Sequence, residues 1–539
     1  MDRLQITIQQ VKTLAFRLPF YHLSLKPPLH ASISVMPHDP WPGNRDIGFQ
    51  ILSNVYEFEG HSYQGNTIPW NDPFLPQTWR NYAHSFHWLR DLRETSVETA
   101  RRKARDMIMD WFEKNEKWDE FSWAGDRIAK RVYHLIALYD FYASSANETF
   151  INDVRRYIFQ QIKHLLRLNF STYQGNRQVT IIRGILYGLF NLPESKRLIT
   201  SYEKRLFKIT ASLLTADGFH QSRNPTHHVE LMRLLIDIKY LYQASNRAIP
   251  VQLNQTLKQM APYLKFLMSQ DGGLFLFQGS WEQDKDFLTT LQTHLDHKVK
   301  NQKSFPRSGY ERIAAGKSLL FVDVGIPPES PFDHWAHAGT FAFEFSSNKQ
   351  RLIVNCGHPQ NSHDHWDRLL ATTAAHSTLT LEDTNSSEVL AKGLGKKPSD
   401  IAHYVDQEEN RISLSMSHDG YMFNHKTRHR RLFHLSENGQ VLSGEDILEG
   451  PTGKEFAIRF HLHPKVKLSL IQESKAVLLQ LPSGSGWKMS AHGEELTIEP
   501  SIYFGDGKNA VSTKQIVIKG VTAPNPENRA QIKWLFEMI

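Results

Sequence analysis

The stretch DGFHQSRNPTHH, residues 217–228, concentrates side chains that can move protons or bind anions. Asn224 followed by Pro225 predicts a helix start, with the asparagine as N-cap and the proline as the first helical residue. His227 and His228 then fall in the first turn, where the positive end of the helix dipole disfavours imidazolium and attracts carboxylate or sulfate groups. A neutral imidazole is the form that a general base or a metal ligand needs. The stretch is therefore either a helix cap with satisfied histidines or one wall of a site for an acidic ligand.

The residues around the cap extend this hypothesis. Arg223 directly precedes the cap, where its guanidinium can form two parallel hydrogen bonds to a carboxylate. His227 shares a helical face with Leu231 and Leu234, so we expect it to face inward. The candidate catalytic residues of this stretch are His220, Arg223, Asn224 and His227, and His228 is a candidate substrate-binding residue. The structural alternative is that Asn224 only caps the helix and that the histidines are satisfied within the fold.

The elements that must position these residues change character along the chain. Residues 1–74 are rich in proline, glycine and tryptophan and indicate an irregular segment with short strands. Apolar residues then recur at helical spacing through residues 75–304. The predicted helices are 80–92, 96–114, 124–143, 149–169, 178–190, 194–214, 226–243, 252–268 and 283–298. Consecutive helices with short connections form antiparallel hairpins, so this region is predicted to be a helical toroid or solenoid.

A period of two replaces the helical period in residues 305–539. In TFAFEF, for example, Phe341, Phe343 and Phe345 alternate with Ala342 and Glu344. Many such runs, separated by turn residues, predict a large antiparallel β-sandwich. The predicted fold is thus multidomain α + β, and ligand sites favour the cleft between two such domains.

Composition restricts the class of protein. Charged residues make up 22% and hydrophobic residues 40% of the 539-residue chain, as in soluble globular proteins. Cys356 is the only cysteine, which excludes an intramolecular disulfide and a cysteine-rich zinc motif. No apolar run is long enough to span a bilayer, and the start is a poor signal peptide, so we expect a cytoplasmic location, with the periplasm as the alternative. The net charge of +7 favours acidic partners, or serves solubility alone.

Ordered motifs in both halves make the chain resemble the heparinase II/III-like family of polysaccharide lyases, in its bacterial branch of undefined substrate. They include PHDPWPGN, FHWLRDLR, GILYGLFNLP, ADGFHQSRNP, DGGLFLFQG, WAHAGTFAFEFS, RLIVNCG, AAHSTLTLEDTNSS and IRFHLHP. The resemblance implies an incomplete (α/α) toroid followed by a β-sandwich. It also implies cleavage of uronic-acid glycans by β-elimination, which needs carboxylate neutralisation, a base for the C5 proton and an acid for the leaving oxygen.

The family's sandwich motifs bring further residues into the expected site. Aligned on AGTF, Trp335 stands where the family has a metal-binding histidine, and His337 stands at the following aspartate. Asn355 falls at a second aspartate position, whereas His376 matches the family's last histidine directly. The resemblance therefore implies a divalent metal, zinc or calcium, held by His337, Asn355 and His376. The alternatives are a hydrogen-bonded polar group in the cleft or residues that only hold strands together.

The resemblance also assigns roles by position. His376 is expected to be catalytic, and the substrate-binding candidates besides His228 are Trp335, His337, Tyr310 and Arg368. Arg368 belongs to the polar stretch HPQNSHDHWDR, residues 358–368, and related lyases have an arginine ahead of the final histidine. The family's Tyr-His pair is replaced here by His227 and His228.

Three function classes follow. The first is a lyase that acts on an acidic glycan, and the second is a non-lytic relative that binds acidic saccharide in capsule or exopolysaccharide metabolism. The third, nucleic-acid binding, rests only on the positive charge, and we expect no nucleic acid partner because no RNP-type, zinc-finger or P-loop pattern occurs.

Overall fold

The structure is a computed structural model of the chain. It describes residues 14–18, 20–26, 32–169, 172–193, 195–295, 304–305, 307–360, 364–471, 475–493, 495–523 and 528–539. These residues form two compact units. The first contains the described residues up to Leu213 together with Glu230–Lys258 and Thr289–His294. The second contains Leu214–Val229, Gln259–Leu288 and the described residues from Leu295 onward.

Helices dominate the described part of the chain before residue 295. They are α1 Arg45–Leu52, α2 Gln77–His84, α3 Trp88–Glu94, α4 Glu98–Lys114, α5 Gly125–Ala137, α6 Tyr139–Ala143, α7 Glu148–Arg167, α8 Asn176–Leu189, α9 Lys196–Leu213, α10 Pro225–Ala244, α11 Val251–Phe266 and α12 Lys285–Thr293. A short hairpin of β1 Val55–Phe58 and β2 His61–Gln64 follows α1. The helical interpretation of this region is confirmed, with two breaks that hydrophobic periodicity did not indicate.

Both breaks, and the one added helix, have local causes. The predicted helix 80–92 is interrupted because Phe86 adopts a positive φ of 60°, which a helix cannot contain. The predicted helix 124–143 is divided at Leu138, whose backbone is not helical. Helix α1 lies in the segment expected to be irregular, and it begins where the Asn44 side chain accepts hydrogen bonds from two backbone N–H groups.

Buried ion pairs and close helix packing stabilise the first unit. Arg183 pairs with Asp237, and Asp237 also accepts hydrogen bonds from Trp41 Nε1 at 2.6 Å and from the Tyr133 hydroxyl at 3.0 Å. Helices α5 and α8 pack so closely that a Cβ at Gly184 would stand 2.6 Å from an Ala129 backbone atom. A larger residue at 184 would therefore force these two helices apart.

The second unit is built on two antiparallel sheets. One has the order β14-β15-β16-β19-β12-β11-β10-β9, and the other has the order β17-β18-β13-β7-β6-β5-β4-β3, with β8 paired to β13. The strands are β3 Ser304–Phe305, β4 Tyr310–Ala315, β5 Ser318–Asp323, β6 Phe343–Ser347, β7 Gln350–Val354, β8 Leu379–Leu381, β9 Ile401–Gln407, β10 Arg411–His418, β11 Arg428–Ser436, β12 Val441–Glu449, β13 Glu455–Leu462, β14 Lys467–Ile471, β15 Ala476–Gln480, β16 Gly486–Ala491, β17 Leu496–Tyr503, β18 Val511–Val521 and β19 Arg529–Met538. Two short helices, α13 Asp364–Leu370 and α14 Met422–His425, interrupt them.

Aromatic side chains from both sheets form one core. Phe343 of β6 stacks on Trp534 of β19 with ring centroids 5.8 Å apart, and Phe460 of β13 meets Trp534 at 5.0 Å. Phe433 of β11 packs 5.0 Å from Phe343. Because these contacts join strands of different sheets, the second unit is a β-sandwich, as the period of two predicted.

The division between the units differs from the predicted boundaries. We expected residues 75–304 to form a helical domain and residues 305–539 to form a β-sandwich domain. Instead, Leu214–Val229 and Gln259–Leu288 group with the sandwich. The reason is contacts distant in sequence: Arg223, for instance, bonds to Asp323 at the end of β5. In the described part of the chain, no helix is long and apolar enough to cross a membrane.

Candidate active site

The turn before α10 has the predicted cap. The Asn224 Oδ1 accepts the backbone N–H of His227 at 3.0 Å, and α10 begins at Pro225. The Asn224 Nδ2 donates to the carbonyl of Gln278 at 2.7 Å, and the whole residue is buried. This confirms the helix start. Both ends of the side chain are engaged within the second unit, so a ligand would have to compete for them.

Arg223 is a buried cross-link of the second unit. Its Nε donates to Ser308 O at 3.0 Å, and its Nη2 donates to Gly309 O at 2.7 Å and to Asp323 Oδ1 at 2.6 Å. Its Nη1 donates to the carbonyls of Gly325 and Ile326, both at 3.1 Å. These bonds occupy the whole donor fork that we expected to clamp a substrate carboxylate. A Cβ at Gly309 or Gly325 would reach within about 3 Å of the guanidinium.

Tyr310 and His228 belong to the same buried packing. The Tyr310 hydroxyl donates to Arg223 O at 2.8 Å, and its ring lies 4.6 Å beneath the Arg223 guanidinium. The His228 Nε2 contacts Met260 O at 3.1 Å, and a carbonyl can only accept, so Nε2 bears the proton. Burial lowers the pKa of His228 to about 4. The structure thus places both predicted substrate-binding residues among core contacts.

His220 and His227 are joined by the hydroxyl of Ser222. The Ser222 Oγ lies 2.8 Å from His220 Nδ1 and 3.1 Å from His227 Nδ1. The backbone N–H of Ser222 also donates to His220 Nδ1 at 3.2 Å, so that nitrogen is an acceptor. Burial, followed by the nearby His227 and His228, lowers the pKa of His220. His227 is only half-buried, in contrast to the inward position that the apolar stripe indicated.

A second histidine pair joins the segment before β6 to the segment before β8. His337 Nδ1 and His376 Nε2 are 3.1 Å apart, and His376 Nδ1 lies 2.8 Å from Thr372 O. Burial lowers the pKa of His376 to about 4 and also lowers that of His337, which the neighbouring His376 and His358 depress further. Both imidazoles are therefore neutral at pH 7. The backbone N–H of His337 donates to Gln278 Oε1 at 3.0 Å.

His337 forms part of the wall of a cavity of about 310 Å³ in the second unit. Trp335, half-buried, lies beside it, and the charged residues of the wall are Arg368, Lys392 and Asp367. This volume lies at the lower end of the range for small-ligand sites. A cavity with two cations and one carboxylate favours an anionic ligand, and an indole face can stack on a sugar ring.

Comparisons with known proteins identify the family of this chain. Residues 297–535 match the heparinase II/III-like C-terminal domain. The chain is 30% identical over 542 aligned positions to FtsZ-localized protein C of Caulobacter vibrioides, across 95% of this chain and 92% of the relative. The chain belongs to the heparinase II/III-like family.

Solved structures show the same fold. The heparinase III BT4657 gene product superposes with a TM-score of 0.67 at 16% identity, covering 93% of this chain and 85% of its own. A mutant of heparan sulfate lyase HepC from Pedobacter heparinus superposes with a TM-score of 0.63 at 17% identity, covering 96% and 87%. The helical toroid and β-sandwich that the sequence resemblance implied are thus the architecture of this heparinase II/III-like protein.

Two of the side chains expected to hold a metal, Asn355 and His376, are bonded to other groups of the second unit. Asn355 Oδ1 accepts the backbone N–H of Ser377 at 2.9 Å, and its Nδ2 donates to Leu276 O at 3.1 Å. His376 uses both nitrogens, on Thr372 and on His337. Within the residues that the structure describes, no group of three histidine, cysteine, aspartate or glutamate side chains could hold a metal ion. A zinc site needs three or four such donors.

Four residues of the site were not among the sequence candidates. Gln278 and Asp323 organise the Arg223 and Asn224 turn, while His358 and Lys392 line the cavity. Gln278 and Asp323 could have been found from the sequence, because each is a single polar residue inside an apolar run, FLFQG and LLFVDVG. His358 belonged to the polar stretch 358–368, whose residues 361–363, including His363, lie outside the described part of the chain. For Lys392 the sequence contains no signal.

Proposed function

We propose that this heparinase II/III-like protein is a polysaccharide or oligosaccharide lyase that cleaves a uronic-acid glycan by β-elimination. The observation that supports the proposal most directly is the cavity wall. It combines the buried, neutral His337 with Arg368, Lys392 and Trp335. The family membership and the shared lyase fold support the same class of reaction, although fold alone does not assign activity.

The side chains of the cavity supply the functions that elimination requires. Arg368 and Lys392 provide positive charge for the uronate carboxylate, which stabilises the charge that develops when C5 loses its proton. His337 Nε2 accepts that proton. The electron pair of the C5–H bond then forms the C4–C5 double bond, and the C4–O bond breaks.

His358 is the candidate proton donor to the departing oxygen. It lines the same cavity, and its Nε2 lies 3.4 Å from Asp367 Oδ1, a contact that favours the protonated imidazole. Burial is the largest influence and lowers the pKa of His358, while the Pro359 carbonyl and Asp367 oppose it. The charge of His227 also lowers the pKa of His358, so one of the two histidines joined by Ser222 lies close enough to influence this donor.

The test is product formation. Purified protein is incubated with heparan, alginate, glucuronan and capsular polysaccharides while ultraviolet absorbance of the unsaturated uronate is recorded. We expect a signal with at least one substrate, its loss in His337→Ala, and its retention in the exposed control His492→Gln. Measurable glycan binding with no absorbance change across all substrates would reject the lyase proposal.

A second candidate is a non-lytic relative that binds acidic saccharide. The observation that favours it is that none of the described residues lining the cavity is a tyrosine, and His227 replaces the family's tyrosine. In addition, the Caulobacter relative is named for its localisation with FtsZ and not for a reaction. Two results would support this candidate. Uronate oligosaccharides should bind in calorimetry and be recovered uncleaved, and Arg368→Gln should weaken that binding.

A further inference from the structure

The hydrogen bonds around His376 determine where both protons of the histidine pair reside. Thr372 O can only accept, so the His376 Nδ1, 2.8 Å away, bears a proton. In the neutral ring the Nε2 of His376 then has a lone pair, and it faces His337 Nδ1 at 3.1 Å. The His337 Nδ1 therefore donates, which leaves the lone pair of the neutral His337 on Nε2.

That last nitrogen is a buried acceptor. His337 is 3% exposed, and its Nε2 has no hydrogen-bond partner among the described residues. Buried polar atoms of native proteins have partners in the great majority of cases, so this acceptor can take a hydrogen donor from outside the described residues. The residue lines the cavity described above.

We infer that the His337–His376 pair is a metal-free relay, locked by Thr372 O, that offers the His337 Nε2 lone pair to a hydrogen donor of the ligand. The family's metal position is thereby replaced by a direct bond between the two imidazoles. Both ends of the Asn355 side chain are engaged by Leu276 and Ser377, and among the described residues no group of three histidine, cysteine, aspartate or glutamate side chains could hold a divalent ion.

The two hydrogen bonds run in one direction, from His337 to His376 and from His376 to Thr372. The Nδ1–H of His337 is bonded to His376, whose Nδ1–H is bonded to a carbonyl oxygen, so Nε2 is the acceptor nitrogen of the neutral His337. Outer partners of this kind fix the tautomer and the ring orientation of a histidine that binds a ligand. The acceptor role toward a sugar rests on the proposed lyase function, whereas the tautomers and the absence of metal do not.

His461 provides an internal reference for the tautomer. Its Nε2 lies 3.0 Å from Ala374 O, and its Nδ1 lies 2.7 Å from the Ser501 hydroxyl. The proton is therefore on Nε2, the opposite tautomer to that inferred for His337 and His376. Burial lowers the pKa of His461 to about 3, so the reference stays neutral as well.

The experiment is nitrogen NMR of the full chain labelled with ¹⁵N-histidine at pH 7, assigned with His337→Gln, His376→Gln and His461→Gln. We expect Nδ1–H signals for His337 and His376 and an Nε2–H signal for His461. The His376→Gln variant should change the His337 signals, whereas His461 should keep its Nε2–H tautomer. An Nε2–H tautomer at His337 in the folded wild type would overturn the inference.

Metal analysis of the same samples is the second arm. We expect sub-stoichiometric zinc and calcium after purification, no increase in melting temperature on adding zinc, and no change in the histidine spectrum. Stoichiometric zinc that survives dialysis and disappears in His376→Gln would also overturn the inference. If the tautomers are as stated but no glycan is cleaved, the relay stands and only the lyase proposal fails.

Discussion

Gln278 binds the backbone N–H of His337 through its Oε1 at a distance of 3.0 Å. The same amide donates through Nε2 to Asp323 Oδ2 at 2.8 Å, and the Gln278 carbonyl accepts the Asn224 side chain at 2.7 Å. One buried residue thus connects the capped turn to the loop of the histidine pair. Its backbone adopts a positive φ of 52°, which these bonds stabilise.

Replacing Gln278 by alanine should loosen the loop of His337. The substitution removes the acceptor of a buried N–H and one donor to Asp323, so we expect the free energy of unfolding to fall by about 2 kcal/mol. Urea unfolding followed by tryptophan fluorescence measures this loss. Gln283→Ala is the matched control, because Gln283 also has a positive φ but bonds only to an exposed N–H. Equal losses in both variants would contradict the positioning role.

Arg223→Lys separates a structural arginine from a substrate clamp. A lysine retains the charge, but its single ammonium group cannot donate at once to the four carbonyls and Asp323 that accept from the guanidinium. The change leaves several buried carbonyl acceptors unsatisfied, each at a cost of about 1–3 kcal/mol, so we expect a marked drop in melting temperature. The control is Arg430→Lys, whose exposed pair with Glu449 at 3.1 Å contributes little. An unchanged melting temperature with lost glycan affinity would instead support the clamp.

The sequence predicted the local features of the site and not its long-range partners. The Asn224–Pro225 cap follows from short-range chemistry, which any chain with that dipeptide before an apolar stripe would share. The alternating strands likewise follow from local periodicity. In contrast, the carbonyls that surround Arg223 come from Ser308 and Gly325, far along the chain. The local sequence pattern does not show which distant loop supplies the acceptors for an arginine side chain.

The family motif led to the histidine pair but not to the contacts of the residues around it. His376 matched the motif, and His337 occupied an aspartate position, so a metal was a reasonable expectation. The contacts of Asn355 with Leu276 and Ser377 depend on packing that single residues do not reveal. The presence of Lys392 in the cavity depends equally on the path of a loop.

Arg368→Gln should weaken binding of uronate oligosaccharides without changing stability. Arg368 is exposed and lines the cavity, and a charge-assisted hydrogen bond contributes about 1.5 kcal/mol, so we expect about tenfold weaker binding. The wild-type affinity should also fall as salt is raised, because dissolved ions weaken the attraction between exposed charges over a screening length of about 10 Å at 0.1 M salt. Calorimetry at two salt concentrations measures both effects. Lys514 is an exposed residue of β18 that does not line the cavity, so Lys514→Gln should bind like the wild type.

His228 should make the fold sensitive to acid. An unfolded histidine takes up its proton near pH 6.5, at about its ordinary pKa, whereas burial lowers the pKa of His228 to about 4. Between these values the unfolded chain binds more protons, so the contribution is complete above about pH 6.5 and is lost as the pH falls toward 4. The loss amounts to at most about 3 kcal/mol for this group. Urea unfolding at pH 7 and pH 5 should show a smaller decrease for His228→Gln, whose amide can still donate to Met260 O, than for the wild type or the exposed control His492→Gln. An identical decrease in all three proteins would mean that other groups dominate the acid sensitivity.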